Sequence, residues 1–182
     1  MILPMYIFGQ PVLRKETEEI ATDYPNLQEL IQNMYETMLN ADGVGLAAPQ
    51  VGLPIRLFVI GLDVLSDDIP EYKDYLHAFI NPRILETGED TEVMEEGCLS
   101  VPGIHENVRR PKTVHVTYTD ENMQPHDEWI DGYAARVFQH EYDHLDGKLF
   151  IDHISSLRKQ IIKKKLQAMA KGRVACGYKT KA

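Results

Sequence analysis

Apolar residues repeat with the helical period in three segments of the chain. A helix is predicted over residues 26–40, with Gly43 after its end, and its apolar face consists of Leu27, Leu30, Ile31, Met34 and Met38. A second helix is predicted over residues 132–145, which Gly147 ends. A third is predicted over residues 154–170, where lysines face outward and the buried positions are Leu157, Ile161, Leu166 and Met169.

Runs of β-branched and aromatic residues predict the strands. They occupy residues 56–62, 77–81 and 113–119, and residues 124–129 are expected to pair with the last of these across a turn. Strand runs followed by helices favour an α+β fold with mostly antiparallel sheets around a central helix.

Two segments show neither period. Residues 43–50 are glycine-rich and are predicted to form a compact turn. Residues 63–75 are acidic and contain Pro70, which predicts a surface loop.

Length and charge distribution indicate one domain with a basic end. The chain has 182 residues, 43% of them hydrophobic and 26% charged, with a net charge of −9. Residues 155–182 hold nine Lys or Arg and no acidic residue, so residues 1–154, with ten basic and 28 acidic side chains, carry −18. We therefore predict a catalytic part at 1–154 and a basic helix and tail of the same domain at 155–182. The basic run favours contact with nucleic acid, although a solvated helix face is the commoner role of such a run.

The two cysteines and the hydropathy indicate where the chain is found. No apolar run approaches the length of a membrane span, so no membrane association is predicted. Cys98 and Cys176 are too few for a disulfide framework. A reducing, cytoplasmic location is therefore expected, and a cysteine among histidines and acidic residues becomes a candidate metal ligand.

The sequence His140-Glu141-Tyr142-Asp143-His144 lies in the second predicted helix. Histidines at i and i+4 lie on one side of a helix, so both imidazoles can bind a single ion. Glu141 lies beside them and can act as a base next to the ion. Two structural histidines on a core helix are the alternative interpretation, which the pattern alone leaves open.

The third ligand separates the classes of enzyme. Phe150 stands where one branch of zinc proteases has a third histidine, and past Asp152 no acidic residue remains to serve another branch. His153 is a downstream candidate, and Cys98, flanked by Gly97, is an upstream one. A free cysteine is more often a small buried apolar residue, but a site lacking one ligand favours Cys98 as the third. Three protein ligands leave a position open for water, which is typical of catalytic sites.

Three motifs, in this order, resemble those of peptide deformylases. They are Gly43-Val44-Gly45-Leu46-Ala47-Ala48-Pro49-Gln50, Glu96-Gly97-Cys98-Leu99-Ser100 and Gln139-His140-Glu141-Tyr142-Asp143-His144. An early Pro11-Val12-Leu13-Arg14 is similar to the opening of the same family. The likeness extends from residue 11 to about residue 150.

The resemblance implies hydrolysis of the formyl group from N-formylmethionine at the start of newly made proteins. It implies that Cys98, His140 and His144 hold one divalent metal, Fe(II) natively, with Zn, Ni or Co possible. Glu141 is then the general acid and base. The side-chain amide of Gln50 and the backbone N–H of Leu99 stabilise the oxyanion, a role that fixed dipoles serve well.

The resemblance also implies where the substrate binds. Backbone groups of Gly45 and Gly97 hydrogen-bond an extended peptide as an added strand, although turns needing positive φ are an alternative role for both glycines. The residues expected around the substrate are Val44, Gly45, Met94, Glu96, Gly97, Tyr133, Arg136 and Val137. Arg136 replaces an aliphatic residue, and we expect its stem to line the methionine pocket with the guanidinium at the rim.

Two rival functions remain from the sequence. A zinc-type peptidase lacks its third ligand here, and a ribosome- or RNA-binding protein with a structural metal has no use for Glu141. The resemblance allows the basic C-terminal helix to contact the ribosome while the enzyme acts on nascent chains. Asp143 is expected to pair with Arg109 or Arg110, either to fix the helix or as an ordinary surface salt bridge.

Overall fold

The computed structural model describes residues 1–182, which form three α-helices and nine β-strands. The helices are α1 (Leu27–Asn40), α2 (Gly132–Leu145) and α3 (Ser156–Ala170). The strands are β1 (Met5–Tyr6), β2 (Gly45–Ala47), β3 (Leu57–Gly61), β4 (Leu76–Thr87), β5 (Thr91–Cys98), β6 (Val101–Pro111), β7 (Val114–Thr119), β8 (Pro125–Ile130) and β9 (Thr180–Lys181). The α+β class with antiparallel sheets is confirmed, and no helix combines the length and apolar character that a bilayer span requires.

The main sheet has five antiparallel strands in the order β2-β3-β4-β7-β8. Its inner strand β3, between β2 and β4, is buried along its whole length, as a run of apolar residues predicts. Phe58 of β3 and Phe79 of β4 stack with centroids 5.1 Å apart, and Phe138 of α2 meets them edge-on at 5.0 and 5.3 Å. Aromatic rings bury large apolar areas, so this cluster holds α2 against the sheet.

The hairpin of β5 and β6 is the largest element that the sequence pattern does not predict. Its strands pair from Thr91 and Pro111 to Cys98 and Val101, with a register shift after Gly97. Along β6 the inward positions alternate as in a half-buried strand, but Glu106 and Arg110 occupy two of them. Because charged residues occupy part of the buried face, the apolar residues of β6 do not alternate, and the strand is not predicted from them.

The glycine-rich segment 43–50 is only partly a turn. Residues of β2 pair with β3, and a 3₁₀ turn (Ala48–Val51) follows, so three residues of the predicted compact turn form a strand. The acidic segment 63–75 carries two short 3₁₀ turns and no strand, which confirms the predicted loop.

The buried face of α3 differs from the prediction. Met169 and Ile162 are buried and Leu166 packs partly against the same core, whereas Leu157 is 70% and Ile161 56% exposed. Only one narrow side of this helix touches the body, so the predicted burial of Leu157 and Ile161 is wrong.

After α3 the chain returns to the body of the protein. Strand β9 pairs in parallel with β1, matching Met5 with Thr180 and Tyr6 with Lys181. The two ends of the chain are therefore joined by backbone hydrogen bonds.

Candidate active site

Three candidate metal ligands meet where the β5–β6 hairpin lies against α2. The ligand atoms of Cys98, His140 and His144 all lie within 4.8 Å of one another. His140 and His144 are one turn apart on α2, and Cys98 ends β5. Ligands of a tetrahedral transition-metal ion lie about 3.5 Å apart, close to the 3.4 Å between Cys98 Sγ and His144 Nε2. One thiolate and two imidazoles are the donor set of Fe(II) or Zn, so the residues fit a single such ion.

Both imidazoles lie in positions that favour ligation. Burial, together with the charge on His140, lowers the pKa of His144 to about 3, which keeps this ring neutral as a ligand must be. His140 Nδ1 lies 2.8 Å from Glu96 Oε1. An ionised carboxylate only accepts hydrogen bonds, so Nδ1 carries a proton. Burial lowers the pKa of His140, but hydrogen bonds with Cys98 and Glu96 outweigh burial and raise it above its ordinary value, so an ion would displace a proton from Nε2.

Glu96 is the centre of a buried charge network. Burial raises its pKa, but hydrogen bonds from His140 and Arg110 outweigh burial and lower the pKa far below its ordinary value. Arg110 donates through Nε at 2.7 Å and through Nη2 at 2.9 Å, and Arg136 Nη1 donates at 2.7 Å. Glu96 thus orients a candidate metal ligand and also lines the cleft.

Arg136 does not place its guanidinium at the rim of the pocket. Its side chain is 6% exposed and donates to Glu96, to Val108 O at 2.9 Å and to Glu92 O at 2.8 Å. A carboxylate and two carbonyls inside the protein satisfy the charge better than the rim would, so the predicted position of the guanidinium is wrong, although Arg136 does line the cleft.

Asp143 pairs with Arg110 at 2.9 Å, whereas Arg109 instead donates to Thr91. The pair is largely buried, with side-chain exposures of 5% and 16%, so it is not an ordinary surface salt bridge. His153 Nε2 lies 2.7 Å from the same carboxylate and takes no part in the ligand cluster.

Glu141 is buried next to the ligands. Burial raises its pKa to about 7, and its Oε2 has no hydrogen-bond partner. A β-carbon at Gly45 would come within 2.6 Å of Glu141 Oε1, so only glycine permits this close approach. With a raised pKa and one oxygen free of hydrogen bonds, the carboxyl group is suited to accept and release a proton.

The Gln50 amide faces the thiol of Cys98. Its Oε1 accepts the Ala47 N–H at 2.9 Å, which turns the NH₂ group towards Cys98 Sγ at 3.5 Å and Ser100 Oγ at 3.1 Å. Ser100 is fully buried and its role was not predicted, because a serine after the Glu-Gly-Cys-Leu run gives no separate signal.

A cleft of about 390 Å³ opens in front of Cys98, His140 and Glu141. Its walls include the predicted residues Val44, Gly45, Glu96, Gly97, Leu99, Tyr133, Arg136 and Val137. Met94 is not among its lining residues, since it lies two residues before Glu96 on β5 and so one pleat further from the ligands. A β-carbon at Gly97 would come within 2.7 Å of the His105 ring, which explains glycine there without positive φ.

The cleft also has a wall that the sequence does not predict. Ala175, Cys176 and Tyr178 line it from the chain beyond α3. No local pattern in this segment signals the contact, which depends on the pairing of β9 with β1.

Three candidate ligands at an open cleft, beside a buried carboxyl group, are typical of catalytic rather than structural metal sites. Fold and site together define a metal-dependent hydrolase.

Comparison with known proteins assigns the family. The sequence model of the Polypeptide deformylase family matches residues 2–160. A peptide deformylase of Flavobacterium johnsoniae is 50% identical, covering 100% of this chain and 96% of its own length, and one of Christiangramia forsetii is 48% identical, covering 98% and 95%. The crystal structure of peptide deformylase from Thermus thermophilus is 37% identical with a TM-score of 0.84, covering 94% of this chain and 99% of that one. The chain belongs to the peptide deformylase family, metal-dependent hydrolases that remove the N-formyl group from the methionine of nascent peptides.

Proposed function

We propose that Cys98, His140 and His144 hold one divalent metal and that Glu141 moves the protons of deformylation. The observation that carries this assignment is the convergence of three ligand atoms within 4.8 Å beside a buried carboxyl group in a cleft. Fe(II) is the native ion that we propose, with Zn, Ni or Co as functional substitutes, because thiolate and imidazole suit all four. A bound ion supplies Lewis acidity, which polarises the formyl group and makes water acidic.

Glu141 acts as the general base and then as the general acid. Its buried carboxyl group, next to His140, can accept the proton of the attacking water and then pass it to the departing methionine nitrogen. Glu96, which Arg110 holds, accepts a hydrogen bond from His140, so the ligand beside Glu141 stays in place during the transfer.

Gln50 Nε2 and the Leu99 N–H are the proposed oxyanion donors. Gln50 is fixed by its bonds to Ala47 and Ser100, and it lies against the thiol of Cys98. Leu99 follows Cys98 directly and lines the same cleft. Donors that are fixed before the reaction stabilise developing charge without reorganisation.

The peptide is proposed to bind as an added strand between Gly45 and Gly97, whose backbones line the cleft. The methionine side chain then enters the part of the cleft bounded by Val44, Tyr133 and Val137, where the stem of Arg136 also lies. The guanidinium of Arg136 is turned to Glu96 and does not present a free charge to the methionine.

We also propose that residues 155–182 belong to the same domain as the catalytic part and contact the ribosome through α3. The first part is supported by Ile162 and Met169, which are packed in the core, and by the β1–β9 pair. The second is supported by exposed lysines on α3, together with the exposed Leu157 and Ile161. Contact with the ribosome would place the protein where nascent chains are made, and we propose the cytoplasm as its location.

The test of the catalytic assignment is hydrolysis of formyl-Met-Ala by protein purified without oxygen, with acetyl-Met-Ala as the comparison substrate. Glu141→Gln is expected to keep its metal by elemental analysis and to lose about 10²–10⁴-fold in kcat, the usual contribution of a general base. Glu71→Gln, in the exposed loop, is the matched control and should keep full activity. Loss of the metal from Glu141→Gln would mean that Glu141 is a ligand, and the proposed role would be wrong.

A further inference from the structure

The segment after α3 folds back onto the active site. The family match ends at residue 160, so this return is not part of what the family model describes. The Met5 N–H donates to Lys179 O at 2.9 Å and the Ile7 N–H donates to Lys181 O at 3.0 Å. We call residues 174–182 the C-terminal tail.

Tyr178 connects the C-terminal tail to the cleft. Its phenol donates a hydrogen bond of 2.7 Å to the carbonyl of Leu99. Burial raises the pKa of Tyr178, so the phenol keeps its proton and stays a donor throughout the working pH range. The bond restrains the peptide that follows the Leu99 α-carbon.

A second path links the same tail to Gln50. Strand β1 pairs with β9 of the tail, and two residues after β1 the Phe8 N–H donates to Ser100 O at 2.8 Å. Ser100 Oγ donates to Tyr6 O at 2.7 Å and accepts from Gln50 Nε2 at 3.1 Å. Leu99 is thus held through its own carbonyl and through its neighbour Ser100.

We propose that the C-terminal tail is part of the active site and that Tyr178 is a positioning residue for the oxyanion donor at Leu99. This inference rests on the proposed roles of Leu99 and Gln50. Tyr178 does not touch the reacting atoms; it restrains the Leu99–Ser100 peptide, which adjoins the peptide whose N–H must point at the oxyanion. Such a donor contributes chiefly in the transition state, because the charge that it stabilises develops there. Loss of the Tyr178 hydroxyl should therefore lower kcat and leave KM nearly unchanged.

The experiment is Tyr178→Phe in the full-length, metal-loaded enzyme with formyl-Met-Ala as substrate. The ring is kept, so the cleft wall and the β1–β9 pair remain. We expect kcat to fall about fivefold to tenfold, because the free energy of about one hydrogen bond no longer restrains the donor. Metal content should stay at the wild-type value, and the unfolding temperature should fall by only about 2–4 °C, the cost of about one hydrogen bond. The control is Tyr35→Phe, because the buried Tyr35 hydroxyl has no hydrogen-bond partner and lies on α1.

Two results would overturn the inference. One is a wild-type kcat in Tyr178→Phe, and the other is a rise in KM with kcat unchanged, which would make the tail a binding wall without a positioning role. Gln50→Ala, measured alongside, separates this failure from failure of the oxyanion proposal itself. If Gln50→Ala loses at least about a hundredfold in kcat, as loss of such a donor does, and Tyr178→Phe loses nothing, only the tail inference fails. If Gln50→Ala keeps full kcat, the oxyanion assignment fails first.

Discussion

Arg136 is expected to contribute more to stability than any exposed arginine of this chain, although its position faces the substrate cleft. The substitution Arg136→Met keeps the length of the stem, so little packing volume is lost. It removes three hydrogen bonds, of 2.7 Å to Glu96 Oε2, 2.9 Å to Val108 O and 2.8 Å to Glu92 O.

The magnitude follows from burial and from what Glu96 retains. Removing one member of a buried ion pair costs about 3–5 kcal/mol when the other member is left without a partner. Glu96 keeps Arg110 and His140, so the loss should lie lower, at about 2–4 kcal/mol. With a urea dependence of about 2 kcal/mol per molar, the unfolding midpoint should fall by about 1–2 M.

Urea unfolding of Arg136→Met and of the wild-type protein, both saturated with the same metal, measures this loss. Arg83→Met is the control, because Arg83 pairs with Glu19 at 2.8 Å with side-chain exposures of 46% and 61%. An exposed pair contributes about 0–1 kcal/mol. Equal midpoints for Arg136→Met and Arg83→Met would refute the claim that the Arg136–Glu96 contact stabilises the fold.

Three further predictions concern the metal, the acid stability and the basic helix. Cys98→Ser should bind Zn at least about tenfold more weakly, since the thiolate is lost, and an unchanged dissociation constant in a metal competition titration would place the third ligand elsewhere. Although burial raises the pKa of Asp152, hydrogen bonds from Arg14 and from the Leu149 amide hold it below its ordinary value, so its stabilising effect is present at neutral pH and is lost as pH falls. Asp152→Asn should therefore lose less stability than wild type between about pH 5 and pH 3 in thermal melts, and parallel curves would contradict this. Replacing Lys163, Lys164 and Lys165 by Glu should reduce ribosome co-sedimentation while formyl-Met-Ala hydrolysis stays normal; equal sedimentation at low salt would leave α3 a solvated helix.

Truncation would be a poor test of the ribosome contact. Removing the chain after Ile154 would delete Ile162 and Met169 from the core and the strand that pairs with β1. It would also delete Tyr178 from the cleft. Charge reversal on the exposed lysines changes none of these contacts, so it separates ribosome binding from folding and catalysis.

Local sequence determined the helices and most strands of the main sheet. The period of 3.6 and the glycine after each end predicted α1 and α2 to within a residue, because each helix packs apolar side chains against a core. The histidine pair also follows from local geometry, since i and i+4 are one turn apart whatever surrounds the helix. The same reasoning failed on α3, where the number of faces that touch the body is a tertiary property.

Only the tertiary structure decided how distant residues meet. Cys98 is 42 residues before His140 in the chain, and the pairing of β5 with β6 and its packing on α2 bring its thiol to the histidines. Glu96, Asp143, Arg110 and Arg136 are of residue types that are usually exposed, yet the two carboxylates and two guanidinium groups neutralise one another in the interior. The period-two pattern of apolar residues cannot reveal these buried charges, because each charge is buried only together with its partner. The contact of Tyr178 with Leu99 is decided in the same way: it spans 79 residues and exists because β9 pairs with β1.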